Sequence, residues 1–399
     1  MWPQKCGRPR AVVALGQFFP TMRILIVSGN PHIPQYSGGI ESTTHDLALE
    51  LRRRGHHVSV LCRLAAGGGL PSQIIRTMRN LSLSRFPADR WLGYPVYRQW
   101  DVLQSIPYAV SKLAPHVAIV HKTRAVRMAC EIRACGVPVL FYFHDVDHKR
   151  LDDDLSTMKG AGFLANSAFT AQRYKELFGT DSIVIPPLFR AQRYIAKRKP
   201  ANVTFINPIA MKGSEIAFKI AARCPEIPFS FIESWSLSPQ DVSDIHARLA
   251  GLPNVVLRRR TDNMKSVYGK AKILLVPSIC EEAWGRVATE AQFSGIPVVA
   301  SDRGGLPESV GPGGILLDPD GPIEPWVDAV RRLWFDDAFY LEKSADAIAY
   351  SKRLQIDPSH QIDALLTAVS MVINKSPDAL EVANSHDETR PRLSAGKSG

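Results

Sequence analysis

Acid is what this 399-residue chain is short of: 38 Asp and Glu stand against 49 Lys and Arg, a formal net charge of +11. An excess of that sign favours acidic partners such as nucleotide phosphates or anionic lipid head groups. Aromatic residues are only 8% and do not interleave with the basic ones as an RNA-stacking surface would, so nucleic acid is not an expected partner. The six cysteines, Cys6, Cys62, Cys130, Cys135, Cys224 and Cys280, form no zinc-like or CxxC spacing. That pattern speaks for buried, reduced thiols in the cytoplasm. No run reaches the ~18 apolar residues of a membrane-spanning helix. Short internal repeats are also missing.

What is present is a long α/β series, and the length suits two domains. Arg23–Ser28 is a continuous apolar run, the mark of a strand buried on both faces. A Gly-, Pro- and Asn-rich loop ending in Ser37-Gly38-Gly39 leads to a helical pattern over Glu41–Arg54, with Gly55 at its end, and then to a strand at His57–Cys62. Strand, helix, strand in so few residues is a βαβ unit, so the sheet should be parallel. Further strands are expected at Val117–Val120, Pro138–Phe143, Gly162–Ser167 and Ser182–Pro186. Residues 63–110 carry the least pattern. A second series follows, with strands at Asn202–Ile206, Phe229–Ile232, Val255–Leu257, Ile273–Val276 and Pro297–Ala300, helices between them, and a last amphipathic helix over Pro358–Val372.

The N-terminus has Lys5, Arg8 and Arg10 before a short apolar run, Ala11–Phe19. The run is interrupted by Gln17 and lacks a small-residue cleavage site, so residues 1–21 read as a dispensable extension ahead of Met22, with a signal peptide as the alternative.

Two facing parallel sheets put a crevice at the carboxyl ends of their strands, where ligands bind. The most informative segment there is Ser278–Gly295, which leaves a buried strand and turns at Gly285 into a helix. First-turn amides of Gly285, Arg286 and Val287, with the helix dipole behind them, suit a diphosphate. Glu282 before the turn and Glu290 within the helix suit neutral hydroxyls. Asp145, Asp147 and Asp152–Asp154 could suggest a metal site, but the triple-Asp run reads as a solvated loop.

Glu282-Ala283-Trp284-Gly285 followed by Glu290, with Ser294–Ser301 and Gly304-Gly305 through Glu308, resembles the glycosyltransferase family 4 pattern. The resemblance implies a GT-B fold: α/β, two Rossmann-like domains with parallel sheets facing across a cleft. It implies a retaining transfer of a sugar from a nucleotide-diphosphate donor to an acceptor hydroxyl on a glycan, lipid carrier or small molecule. No cofactor and no metal are required, since the nucleotide-sugar is itself a substrate. By position, Glu282 would bind the donor sugar's hydroxyls and Glu290 the ribose. Lys212 would neutralise the diphosphate, and the Gly39 amide would face the donor phosphate or the acceptor. His144 would hydrogen-bond the transferred sugar or the acceptor, while Asn166-Ser167 fits the pattern for structural reasons.

One departure stands out. The family commonly has Gly-Arg a few residues before the lysine; this chain has Asn207-Pro208, so either Arg286, Arg303 or a linker arginine compensates, or the leaving group is stabilised mostly by helix amides.

The expected layout is an N-terminal extension over 1–21, an acceptor-side Rossmann-like domain over 22–190 and a linker over 191–200. A nucleotide-sugar-binding Rossmann-like domain follows over 201–350, then a C-terminal helix over 351–373 crossing back to the first domain, and a disordered tail over 374–399. Arg76, Arg79, Arg85, Arg90 and Trp91 could bring a cytoplasmic protein into peripheral contact with an anionic membrane at its inner face. The rival readings are a nucleotide-sugar epimerase on the same fold and a non-catalytic nucleotide-sugar-binding protein.

Overall fold

A computed structural model describes residues 19–375 except 68, 235, 236 and 238. Most of the expected extension and almost all of the expected tail lie outside the described residues, as does Cys6.

The first unit runs β1 Arg23–Ser28, α1 Gly39–Arg53, β2 His57–Arg63, α2 Leu70–Leu81, β3 Ala88–Asp89, β4 Val96–Gln99 and α3 Val102–Leu113. It continues through β5 Val117–His121, α4 Ala125–Ala134, β6 Val139–Phe143, β7 Gly162–Ala165, α5 Ala168–Phe178 and β8 Ile183–Val184. The strands form one sheet in the order β3-β4-β2-β1-β5-β6-β7-β8, parallel apart from the β3–β4 pair. The second unit runs β9 Asn202–Ile206, α6 Ser214–Arg223, β10 Phe229–Ile232, α7 Pro239–Leu249, β11 Val255–Arg258, α8 Met264–Tyr268 and β12 Ala271–Val276. Then come α9 Arg286–Gln292, β13 Val298–Ser301, α10 Leu306–Val310, β14 Gly314–Leu317, α11 Glu324–Phe335 and α12 Asp337–Tyr350, with α13 Pro358–Asn374 last. Its sheet, β11-β10-β9-β12-β13-β14, is parallel throughout.

Strand order reverses at β1, which pairs with β2 on one side and β5 on the other, and again at β9 between β10 and β12. A crevice opens at each such point. The continuous apolar runs are legible because each strand is covered on both faces. In the first sheet Ile24, Ile26 and Leu140 face α1 and α13, while Leu25, Val27 and Phe141 face α3 and α4. Leu365, Leu366 and Val369 of α13 are buried in that first core, so the C-terminal helix returns to the first sheet. Arg54 Nη1 donates to Asp363 Oδ1 at 2.9 Å beside it.

Two expectations need correcting. Cys130 and Cys135 are exposed, whereas Cys62 and Cys224 are buried. Cys130 falls on the outward side of α4, whose inward face is Ala125, Val126, Met128, Ala129 and Ile132. The strand expected over Ser182–Pro186 shrinks to Ile183–Val184 at the sheet edge. The weakly patterned stretch 63–110 holds two helices and two short strands. Among the described residues no helix is long and apolar enough to cross a membrane.

Candidate active site

A cavity of about 660 Å³ lies between the two units, lined by the loops that leave the carboxyl ends of β1, β6, β9 and β12. All eight expected site residues, Gly39, His144, Lys212, Glu282, Gly285, Arg286, Val287 and Glu290, line it.

On the second-unit wall, Lys212 ends a 3-10 turn, Ala210–Lys212, and Gly213 follows in the left-handed region at φ +79°. A Cβ at Gly213 would lie 1.8 Å from the Pro277 carbonyl oxygen, so only glycine allows the turn to press against the end of β12. Gly213→Ala is therefore expected to cost about 2 kcal/mol or more, lowering Tm by at least ~4 °C in thermal denaturation. An unchanged Tm would mean the turn does not hold Lys212 as described.

Lys212 Nζ donates to Glu282 Oε1 at 2.5 Å, and Ser278 Oγ donates to the same oxygen at 2.8 Å. The cation expected on the diphosphate and the carboxylate expected on the sugar thus hold each other. Eight residues beyond Glu282, Glu290 is 8% exposed and accepts from the Tyr268 hydroxyl at 2.9 Å. Between them Gly285, at φ +82°, turns the chain into α9. A Cβ there would lie 2.4 Å from Leu306 Cδ2.

The opposite wall carries His144, just past β6. Its ring lies 3.9 Å from Tyr142 and 5.4 Å from His121, centroid to centroid. Its carbonyl accepts from Asn166 Nδ2 at 3.2 Å. Burial, with His121, Lys122 and Arg286 nearby, holds the His144 imidazole well below its ordinary pKa, so it is neutral at pH 7. Ser167 caps α5 by accepting from Thr170 N, the structural role expected of Asn166-Ser167.

The Arg286 side chain does not reach out to a diphosphate. It crosses the seam between the units, donating to Thr43 Oγ1 at 2.8 Å, the Leu188 carbonyl at 3.1 Å and the Tyr194 hydroxyl at 3.3 Å. Its charged neighbours are Glu290 at 3.4 Å and Asp46 at 3.9 Å, and it lies 4.3 Å over the Phe189 ring. Asp46 is fully buried and meets Arg190 and Arg193 as well. Burial pushes its carboxyl up while those three arginines pull it down. Arg303 is also committed, to the Ile279 carbonyl and to Asp320.

At the other end of the seam both Glu308 oxygens accept from first-turn amides of α5, Ala168 N and Phe169 N, each at 2.8 Å. A carboxylate from one unit thus satisfies the bare helix start of the other. Arg173 and Glu281 pair across the seam at 2.6 Å. Asp46 gave no sequence signal, because its partners lie far away in the chain.

Asn207 occupies the place of the missing Gly-Arg. Its backbone is left-handed at φ +67°, a conformation that Asn tolerates, and its N–H donates to the Ile232 carbonyl at 2.7 Å. Its Oδ1 is buried without a protein partner, and the residue lines the cavity. Among the described residues no group of three His, Cys, Asp or Glu could hold a metal ion. Asp152–Asp154 are exposed, as a solvated loop should be.

Two parallel-sheet α/β units around one cleft define the GT-B class, and solved structures agree on that fold. Anabaena HepE in complex with UDP and glucose matches with a TM-score of 0.65 and 18% identity, over 91% of this chain and 100% of that one. WaaG, a glycosyltransferase involved in lipopolysaccharide biosynthesis, matches with a TM-score of 0.61 and 14% identity, over 86% and 99%.

Two family models match in sequence: Glycosyltransferase Family 4 over residues 37–193 and Glycosyl transferases group 1 over residues 235–336. The chain belongs to glycosyltransferase family 4. Among curated relatives, the D-inositol 3-phosphate glycosyltransferase of Corynebacterium glutamicum is 40% identical over 96 residues, 24% of this chain and 22% of that protein. The enzyme of the same name from Mycolicibacterium gilvum is 30% identical over 200 residues, 47% and 43%. The chain therefore spans less than half the length of these relatives.

Proposed function

We propose that the chain transfers a glycosyl group from a nucleotide-diphosphate sugar to an acceptor hydroxyl, with retention at the anomeric carbon. The observation that carries the reading is the pairing of Lys212 with Glu282 on one wall, faced by a neutral His144 across the same cavity. Donor binding would exchange partners. Lys212 and the amides of Gly285, Arg286 and Val287 take the diphosphate, and Glu282 turns to the sugar hydroxyls. Glu290, held by Tyr268, is placed for the ribose, and the neutral imidazole can donate to or accept from a sugar hydroxyl.

As the bond from anomeric carbon to phosphate oxygen breaks, negative charge grows on the diphosphate, where the lysine and amides stabilise it. The acceptor oxygen attacks the same face, and its proton passes to the departing phosphate oxygen. Enclosure between the units keeps water from the donor. No step calls for a metal or cofactor.

The relatives named above suggest a phosphorylated cyclitol as one acceptor to try. The test is a thermal-shift panel of UDP-, GDP-, ADP- and TDP-sugars, followed by transfer assays with D-inositol 3-phosphate and simple glycosides. One donor should stabilise the protein by about 3 kcal/mol at a hundredfold excess over its Kd. It should also release its nucleotide diphosphate only with an acceptor present. If no donor shifts the melting curve and none is turned over, the proposal is wrong.

A further inference from the structure

A helix at the surface of a globular protein ordinarily turns its apolar stripe inward. Helix α2 does the reverse. Leu70, Ile74, Met78 and Leu81 recur at spacings of four, four and three and so share one face. That face is outward: the four are 68%, 43%, 52% and 77% exposed, and Leu83 just beyond is fully exposed.

The inward side is narrow, with Ser72 and Ile75 buried. It is fastened by arginines. Arg76 Nη1 donates to the carbonyls of Ala65, Ala66 and Gly67. Arg79 donates to the Arg98 carbonyl at 3.3 Å and to Gln99 Oε1 at 3.1 Å. The expected cationic patch is thus rearranged: two of its arginines anchor the helix, and leucine, isoleucine and methionine form the outer surface.

We infer that α2 seats this stripe in the surface of an anionic lipid bilayer. Charge complementarity selects that occupant. From residue 63 through 88 the chain has no Asp or Glu and four arginines, Arg63, Arg76, Arg79 and Arg85, within a protein of net charge +11. A second copy of the same stripe would bring like charges together, whereas anionic head groups attract them. Apolar side chains below a cationic collar are the arrangement that lies in the interface plane without spanning it.

The helix is also tied to the cleft. Gln35 Oε1 accepts from Ala65 N at 3.3 Å, and Ile33, Pro34 and Ser37 of the same loop line the cavity. If the transfer reaction is as proposed, the bilayer lies beside the first-unit wall, within reach of an acceptor carried on a lipid. The docking itself does not depend on that reaction.

The experiment is co-sedimentation of the full chain with phosphatidylcholine vesicles, pure or with about one third phosphatidylglycerol. The wild type should bind the anionic vesicles, and binding should weaken as salt rises. The triple variant Ile74→Ser, Met78→Ser, Leu81→Ser should bind at least about tenfold more weakly, because partitioning scales with buried apolar area. Its Tm should not change, since these side chains touch solvent. Leu83→Ser alone should give a smaller loss in the same direction, which keeps the test valid if the triple variant misfolds.

Three results would overturn the inference. One is no binding to anionic vesicles, and another is undiminished binding by the folded variants. The third is a wild-type dimer in analytical ultracentrifugation that the triple variant turns into a monomer, which would assign the stripe to a second copy. None of these measures turnover, so docking and transfer stand or fall separately.

Discussion

Lys212→Ala is expected to lower kcat/KM for transfer by about 10²- to 10³-fold, the usual consequence of removing one preorganised donor from a developing oxyanion. The expectation is at the high end because the neighbouring cations are already engaged. Arg286 is held in the seam by Thr43, Leu188 and Tyr194, and Arg303 by Ile279 and Asp320. Asn207 contributes a neutral amide where the family commonly has a second cation.

A further penalty comes from Glu282. In the lysine's absence its carboxylate keeps only the Ser278 hydroxyl among the side-chain bonds described above, and it faces the incoming diphosphate. The double variant Lys212→Ala, Glu282→Ala should therefore lose less than the product of the two single losses, since the pair is coupled. Initial-rate measurement of nucleotide diphosphate release, with far-UV circular dichroism to verify folding, decides the point. Activity of Lys212→Ala within threefold of wild type would remove the lysine from the mechanism.

The parts of this architecture that were legible in the sequence share one physical cause. A parallel strand covered on both faces must be apolar throughout, so Arg23–Ser28 and Ile273–Val276 stand out without any tertiary information. The segment from Ser278 to Gly295 is legible because a strand, a sharp glycine turn and a helix start must follow one another locally. Residues 63–110 fail for the opposite reason. Helix α2 turns its apolar stripe outward, β3 and β4 are short strands at one margin of the sheet, and Pro107 sits inside α3 where a proline ordinarily signals a break. The role of the Arg286 side chain was equally hidden. Its partners Asp46, Thr43 and Leu188 are about 100 or more positions away in the chain, and only the closed arrangement of the units brings them together.

That arrangement gives the two halves a shared fate. Arg286 fills a space beside Gly39, where a Cβ would lie 3.1 Å from its Cδ. Glu308 supplies acceptors for α5 at the far margin. Tyr268 and Arg286 both contact Glu290, so the carboxylate proposed for the ribose lies at once on the second-unit wall and in the seam. If Glu290 binds the ribose as proposed, the seam and the donor site draw on the same side chains, and a change at one is expected to be felt at the other.

Acid should destabilise the first unit well before carboxylate titration would. Burial pushes His32 down to about 2, helped by Arg98, and His121 down to about 3, helped by Lys122; His144 is also held well below its ordinary value by burial. All three are neutral in the fold and regain a pKa near 6.5 on unfolding. Above pH 6.5 neither state takes up these protons and stability is flat. Below it the unfolded chain binds protons that the fold refuses, so stability is lost as pH falls. His32 and His121 each remove about 2 kcal/mol by pH 5, or roughly 4 kcal/mol together, a large part of the stability of an ordinary domain, and His144 acts in the same direction. His45, lowered to about 4 by burial, acts in the same direction. Asp46 and Asp145, raised by burial, take up protons earlier in the fold and offset part of the loss at lower pH. Urea unfolding at pH 7.5, 6.0 and 5.0 should therefore show a midpoint that falls over both intervals, more steeply per pH unit over the second. Replacing His121, which makes no hydrogen bond through either ring nitrogen, by Phe should reduce that fall by about 2 kcal/mol. A midpoint unchanged from pH 7.5 to 5.0 would mean that these imidazoles titrate in the fold as they do in the unfolded chain, and the burial that keeps His144 neutral would be disproved with it.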